Sequence, residues 1–181
     1  DGDGKADLIW IKKGSPSFSY LRSATGFSIV ESSSDYMNIG ENKASFLKDV
    51  NGDGRDDFVR ITNFSPYPDS VRTSLSVGNG FDVEKAPAAM PVDIATGMSA
   101  GPWFADINSD QKDDLVWLDK NSKNLMYSLA ITDLSYAPSV NTGIVVNRSL
   151  PANVYPYATV DSAAGPWLTD INGDGMPDVV W

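Results

Sequence analysis

The sequence contains no cysteine and no histidine. Without cysteine, the chain has neither disulfides nor thiolate metal sites. Without histidine, it lacks the commonest general base of enzymes and the commonest zinc ligand. An enzyme built from this chain would have to work with carboxylates.

Basic residues and long apolar runs are also scarce. The 181 residues include 14 Lys and Arg against 24 Asp and Glu, which gives a net charge of −10. This charge argues against a nucleic-acid partner, whose phosphates would be repelled. No apolar run approaches the roughly 20 residues of a membrane-spanning helix. The hydrophobic content of 41% is sufficient for one sizeable core.

Glutamate is rare as well, whereas aspartate is abundant and clustered. There are 3 Glu and 21 Asp, and 14 of the Asp lie in four related stretches. These stretches are "DGDGKADL" (1–8), "DVNGDGRDDF" (49–58), "DINSDQKDDL" (106–115) and "DINGDGMPDV" (170–179). A solvated acidic surface would mix Asp with Glu. Short carboxylates concentrated in turns are typical of ligands for a hard cation.

The four stretches define an internal repeat with β-strand flanks. Consecutive copies are 50, 57 and 64 residues apart, a period typical of propellers and solenoids. Strand-like segments follow each loop, such as "DFVRI" (57–61), and precede it, such as "SFLKDV" (45–50). Further strands are predicted at 18–24 and 74–77. About four short strands per repeat predict an all-β fold made of antiparallel β-propeller blades.

The repeat also predicts the domain organisation. We expect a single domain over 1–181, with repeats at approximately 1–48, 49–105, 106–169 and 170–181, the last being the start of another unit. Three blades are fewer than the usual four to eight of a closed ring. We therefore expect a partial propeller, completed by further blades of a parent chain or by an oligomer.

The spacing within each loop predicts a calcium site. With Asp49 as position 1, the side chains at positions 1, 3, 5 and 9 and the backbone carbonyl at position 7 can converge on one ion. The predicted ligands in the complete copies are Asp49, Asn51, Asp53, Arg55 and Asp57; Asp106, Asn108, Asp110, Lys112 and Asp114; and Asp170, Asn172, Asp174, Met176 and Asp178. The first copy begins at position 3 and supplies Asp1, Asp3, Lys5 and Asp7, a truncated fourth site.

Positions 6 and 8 of the loop also allow predictions. Glycine at position 6 allows a left-handed backbone in three copies. Gln111 stands there in the third copy, so that loop should bind more weakly or form a different turn. Asp56 and Asp113, at position 8, are expected to point outward.

Crowded carboxylates repel one another by about 1–4 kcal/mol per pair at ~4 Å without a cation.

Three alternatives fit the loops less well than a calcium site does. Metal-free Asp-Gly hairpin turns need neither Asn at position 3 nor Asp at both positions 1 and 9. EF-hand-like loops require an acidic residue at position 12 and helical flanks, whereas position 12 here is Trp10, Arg60, Trp117 or Trp181. Magnesium prefers a rigid octahedron and retained waters.

The motif D-x-N-x-D-G-x-x-D, followed by a hydrophobic strand and repeated along the chain, resembles the FG-GAP/VCBS repeat. "TGF" (25–27) and "GNGF" (78–81) resemble the turn between the outer strands of that family. The resemblance implies a β-propeller of the integrin-α type, with calcium in loops joining adjacent strands of a blade. The family occurs in secreted and surface proteins, including lectins, adhesins, toxin components and accessory domains of polysaccharide-degrading enzymes.

The expected function is therefore a calcium-binding, non-catalytic recognition or adhesion module. We expect it to be extracellular, with a carbohydrate or protein ligand at the cell surface. The alternatives are an accessory or catalytic propeller of a polysaccharide-degrading enzyme and a structural array of blades in a toxin-like protein. Tryptophans at equivalent positions, such as Trp103 and Trp167, are expected to pack between blades. Tyr67, Tyr155 and Tyr157 lie off the repeat and are candidates for ligand contact.

Overall fold

A computed structural model describes residues 2–11, 18–28, 30–32, 42–62, 69–92, 97–131, 134–146, 167–174 and 176–180. Short strands are the main secondary structure in these ranges. They are β1 (Leu8–Ile11), β2 (Phe18–Leu21), β3 (Val30–Ser32), β4 (Asn42–Lys48), β5 (Asp57–Thr62), β6 (Ser70–Ser74), β7 (Ala88–Ala89), β8 (Met98–Ala105), β9 (Asp114–Asp119), β10 (Asn124–Ser128), β11 (Val140–Val145), β12 (Trp167–Thr169) and β13 (Asp178–Val180). A 3-10 turn spans Ser23–Thr25.

The strands form four sheets, taken here in chain order. The first contains β1-β2-β3, the second β4-β5-β6-β7, the third β8-β9-β10-β11 and the fourth β12-β13. Every recorded pairing between these strands is antiparallel. The prediction of an all-β fold with antiparallel sheets is confirmed, and the second and third sheets have the expected four strands.

The strands beside the acidic loops were predicted best. β5 and β9 begin at Asp57 and Asp114, where the predicted strands begin. The segment 74–77 is only partly a strand, because β6 ends at Ser74 and Ser76 forms an isolated bridge with Phe81. β10 and β11 had no clear sequence signal. β11 is an edge strand whose side chains are mostly exposed, so it lacks the apolar alternation that marks a half-buried strand.

Each sheet packs on the next through apolar side chains. The main cluster joins Val59 and Ile61 of the second sheet to Phe104, Leu115 and Trp117 of the third. Two smaller clusters make the other junctions. One joins the third sheet to the fourth and contains Val116, Leu118, Leu125 and Leu168. The other joins the first sheet to the second and contains Tyr20, Phe58, Ile9 and Leu47. The four sheets are therefore stacked in chain order.

Stacking explains why the central strands are apolar at successive positions. All six residues of β5 are buried, and the first five of β9 are buried too. A strand in a sheet covered on both faces has no solvent-facing side, so alternation gives way to a continuous buried run. Trp117 at 1% exposure and Trp103 in a neighbouring cluster confirm the packing role expected for these tryptophans. Trp10 is 39% exposed, and the side chain of Trp167 lies outside the described residues.

Within the part of the chain that the structure describes, no helix has the length and apolarity needed to cross a membrane.

Candidate cation-binding loops

Each complete acidic loop joins the first two strands of a sheet. The loop at 49–56 connects β4 to β5, the loop at 106–113 connects β8 to β9, and the loop at 170–177 connects β12 to β13. The pairs Lys48↔Asp57, Ala105↔Asp114 and Thr169↔Asp178 close the three hairpins. The loops thus occupy hairpin tips, as their strand-like flanks predicted.

The carboxylate at position 1 organises the backbone of its loop. The oxygens of Asp49 accept hydrogen bonds from the backbone N–H groups of Gly52 at 2.7 Å and Gly54 at 2.8 Å. Asp106 accepts from the backbone N–H groups of Asp110 at 3.1 Å and Gln111 at 2.8 Å, and Asp49 likewise accepts from Asp53 N at 3.2 Å. These bonds curl the loop around the carboxylate.

Positions 3 and 5 repeat a second pattern of side-chain to backbone bonds. The amide oxygen at position 3 accepts from the N–H of position 5, with Asn51, Asn108 and Asn172 acting at 2.9, 3.0 and 2.8 Å. The carboxylate at position 5 accepts from the N–H of position 7 in four loops, with Asp53, Asp110, Asp174 and Asp3 at 3.0, 3.0, 2.8 and 2.8 Å. The amide oxygen at position 3 and one carboxylate oxygen at position 5 are thereby held in fixed directions, which preorganises the loop.

Position 9 has a different environment from the rest of the loop. Asp57 and Asp114 are fully buried at 0% exposure. Asp57 accepts from Val50 N at 3.3 Å with one oxygen and from Ser76 N at 2.8 Å with the other. The first donor belongs to the loop, and the second lies beyond β6. This residue therefore ties the hairpin tip to the far end of the third strand.

The same tie recurs at Asp114 and Asp7. Asp114 accepts from Ile107 N at 3.1 Å and from Ala130 N at 2.7 Å, and Asp7 accepts from Ser23 N at 2.8 Å. Burial raises the pKa of Asp57 and of Asp114 to about 6, and nearby loop carboxylates add to the shift while the backbone donors oppose it. Without a cation, burying these charges thus lowers the free energy of unfolding.

Position 7, whose backbone carbonyl is a predicted ligand, also has a side chain that affects the charge of the loop. It is basic in three loops, and each cation lies near the carboxylate at position 5. The N–O distances are 2.6 Å for Arg55–Asp53, 3.6 Å for Lys112–Asp110 and 4.0 Å for Lys5–Asp3. The side chain therefore offsets part of the loop's negative charge, while its carbonyl remains the predicted ligand. Met176 provides no such charge in the fourth copy.

The loop with Gln111 forms the same turn as its neighbours. Gln111 has φ +70 and Ser109 has φ +62, where the second loop has Gly54 at +81 and Gly52 at +79. The prediction of a left-handed backbone at position 6 is thus confirmed for the glycine and the glutamine. For non-glycine residues this conformation costs about 1–2 kcal/mol each.

Neighbouring loops contact one another. Asp113 N donates to Asp49 O at 2.8 Å, and Lys48 Nζ lies 3.8 Å from Asp113 Oδ2. The expectation that Asp113 points outward was wrong, since its side chain is only 18% exposed and faces the preceding loop. Burial raises the pKa of Asp113, and Lys48 opposes that shift. The prediction for Asp56 agrees with its exposure.

The donor set fits a calcium ion in its chemistry. Each complete loop supplies three carboxylates, one amide oxygen and a backbone carbonyl, which are the hard oxygen donors that calcium prefers. Among the described residues, no group of three or more His, Cys, Asp or Glu side chains is drawn together closely enough to hold a metal. Asp1 and Gly175, as well as Tyr67, Tyr155 and Tyr157, lie outside the described residues.

Sequence reasoning overlooked a charged cluster on the second sheet. Arg60 and Arg72 face each other across β5 and β6, and Glu84 bridges both. Arg60 is 5% exposed and occupies the repeat position that holds Trp117 in β9. An arginine at a position where other copies have tryptophan was the available signal, because it breaks the apolar repeat.

A scan against protein-family models found no match, and searches of curated proteins and of solved structures found no significant similarity. Function is therefore inferred from the loops and their geometry.

Proposed function

We propose that this chain is a calcium-binding, non-catalytic recognition module of a secreted or surface protein, built from FG-GAP/VCBS-like blades of a β-propeller. One observation carries the proposal. The same pattern of side-chain to backbone hydrogen bonds recurs in successive hairpin loops, at identical positions. Such repetition is expected when each loop must present its oxygens in the same way.

The proposed ligands are the side chains at positions 1, 3, 5 and 9 and the carbonyl at position 7. Bound calcium would supply the positive charge that the crowded carboxylates lack. Asn51 and Asp53 are oriented for this role, because the amide oxygen of Asn51 and one carboxylate oxygen of Asp53 each accept a backbone N–H. Asp57 links the loop to Ser76, just beyond the end of β6, so binding at the tip would stiffen the hairpin and its neighbouring strand together.

The stacked sheets support the blade architecture. Three apolar clusters join consecutive sheets, which is the nearest-neighbour packing of repeat proteins. An extracellular location suits the proposed metal, since calcium sites of extracellular modules have affinities of about 0.1–1 mM.

The test is a calcium titration of the metal-free chain by calorimetry, followed by thermal melts in calcium and in EDTA. We expect saturable binding and a higher melting temperature in calcium. Asp53→Ala should remove one site and part of the stabilisation, whereas Asp82→Ala, outside the loops, should leave both unchanged. Absence of calorimetric binding at millimolar calcium would refute the metal proposal.

A further inference from the structure

The side chain at position 10 of the repeat packs on the preceding sheet. Phe58 of the second sheet lies in the cluster shared with the first sheet, and Leu115 of the third lies in the cluster shared with the second. These two side chains are 4% and 0% exposed. Leu8 holds position 10 in the first sheet and is 54% exposed, and Trp10, two residues later, is partly exposed too. The face of the first sheet that points away from the second is therefore apolar and exposed.

The side chain at position 2 packs in the opposite direction, on the following sheet. Val50 contributes to the cluster between the second and third sheets, and Ile107 packs against the cluster between the third and fourth. Ile171 holds position 2 in the fourth copy and is 66% exposed, whereas Val50 is 4% exposed. The face of the fourth sheet that points away from the third is therefore apolar and exposed as well.

The acidic loops contact one another with the same direction along the stack. A Cβ built at Gly2, position 4 of the first loop, would lie 2.7 Å from Arg55 Cγ in the second loop. A Cβ built at Gly52, position 4 of the second loop, would lie 3.4 Å from Lys112 Cγ in the third. The basic side chain at position 7 thus covers the glycine at position 4 of the loop before it.

Both halves of this loop contact are exposed at the two outer sheets. At Gly173, position 4 of the fourth loop, a Cβ would meet nothing within 4 Å. Lys5, position 7 of the first loop, has a side chain that is 71% exposed, against 28% for Lys112. The fourth loop has Met176 at position 7 and so lacks a basic side chain there. A lysine arriving at Gly173 would complement the negative charge of that loop.

The two exposed faces are complementary to each other. The outer sheets of a stack of repeats normally have polar outer faces, because nothing packs on them. Here the first sheet presents the side chains that elsewhere pack on a preceding sheet, and the fourth presents those that pack on a following sheet. A fourth sheet placed against a first sheet would therefore repeat the contact that already joins neighbouring sheets within the chain.

We propose that a second copy of this chain supplies that contact, with the fourth sheet of one copy packed on the first sheet of the next. Ile171 of one copy would pack against Leu8 and Trp10 of the other, and Lys5 would cover Gly173. Such a head-to-tail contact closes into a ring or extends into a filament. Two copies supply eight sheets, within the four to eight blades of closed propellers, so we expect a closed dimer.

The experiment measures the mass of the chain by sedimentation velocity from about 1 to 100 µM. We expect the mass to rise with concentration toward twice the 19.5 kDa of one chain. Because each copy has a net charge of −10, association should become tighter when salt is raised from about 0.05 to 0.5 M, which screens the repulsion between copies. All samples contain EDTA, because the inference goes beyond the calcium proposal and requires no bound ion.

Two variants each place a charge on one of the faces. Leu8→Lys and Ile171→Lys should each weaken self-association at least about tenfold, because every junction then contains one altered face. An equimolar mixture of the two variants should associate again, since the intact fourth sheet of one meets the intact first sheet of the other. Trp10→Lys is a second alteration of the first-sheet face and should act like Leu8→Lys.

Val83→Lys is the matched control, because it adds the same charge at another exposed apolar residue. It should associate as the wild type does. Thermal melts of dilute samples should be unchanged in all variants, since the replaced side chains are exposed in a single copy.

Four results would overturn the proposal. A monomer at up to about 100 µM would leave the two faces to a partner of another kind. Self-association that survives both Leu8→Lys and Ile171→Lys would place the contact elsewhere. Loss of association in only one of these variants would show that like faces meet, and loss in both without recovery in the mixture would exclude the head-to-tail arrangement. The calcium proposal is tested separately by its own titration, so either proposal can fail alone.

Discussion

The buried aspartate at position 9 provides the sharpest test of how the loops hold the sheets together. Asp114 is 0% exposed and accepts one N–H from its own loop and one from beyond β10. Asp114→Ala would leave both donors, Ile107 N and Ala130 N, without their acceptor. Each orphaned buried donor costs about 1–3 kcal/mol.

The expected loss is smaller than the sum of the two donors. Burial raises the pKa of Asp114 to about 6, so the carboxylate is itself destabilised in the metal-free fold. Replacing the Asp114 carboxylate by alanine therefore recovers part of the free energy that its burial costs. We expect Asp114→Ala to lower the free energy of unfolding by about 2–4 kcal/mol, and the melting temperature by about 5–15 °C for a chain of this size.

The assay is urea unfolding in EDTA, followed by tryptophan fluorescence. Trp117 lies on the same strand as Asp114 and is buried in the main core, so it reports the relevant unfolding. Asp114→Asn keeps one acceptor and should lose about half as much stability. Asp110→Ala is the matched control, because Asp110 is an exposed residue of the same loop.

In EDTA the control should lose less than about 1 kcal/mol, since it removes only exposed hydrogen bonds. If Asp110→Ala and Asp114→Ala were equally destabilising in EDTA, the anchoring role of position 9 would be wrong. A calcium-dependent loss in Asp110→Ala alone would assign position 5 to the ion and position 9 mainly to the fold.

Four further outcomes are expected. Chelation of wild-type protein should lower the melting temperature, because each site filled tenfold above its Kd contributes about 1.4 kcal/mol; an unchanged melt in EDTA would count against the loops. Glu84→Gln should lower the free energy of unfolding in urea by about 3 kcal/mol, because it leaves Arg60 buried beside a second arginine without the bridging charge. Asp82→Asn, which breaks the exposed pair of Asp82 with Lys85, is the control and should be much less destabilising. Gln111→Gly should stabilise the metal-free chain by about 0.5–1 kcal/mol, since it relieves the backbone strain of a non-glycine residue at φ +70, at some cost in chain entropy. A loss of stability would show that the glutamine side chain itself stabilises the loop. In EDTA, the contribution of Asp57 to the free energy of unfolding should fall as pH rises from about 4 to about 6. Its folded pKa near 6 exceeds the ordinary 3.8, so the folded state holds the proton more tightly than the unfolded state does. Asp57→Asn should remove that part of the pH profile, including the effect of the like charges on Asp49 and Asp53.

The sequence predicted the elements whose causes are local. Loop spacing, left-handed positions and the apolar runs beside the loops depend on a few neighbouring residues, so the first residues of β5 and β9 were predicted correctly and their ends to within one residue. β11 could not be found in the same way. Its exposed side chains carry no periodic pattern, and its pairing with β10 is a tertiary contact.

The sequence by itself determined where the oxygen-rich loops lie and which positions repeat, because turn chemistry depends on adjacent residues. Only the tertiary structure decided how those positions differ. Asp57 and Asp53 look alike in the motif, yet one is buried between two backbone donors and the other is exposed at the tip. The stacking of consecutive sheets turns Asp113 toward Lys48. It also forms a cleft beside Arg55, between the first and second sheets. Stacking brings together residues that are far apart in sequence, and no local spacing encodes it.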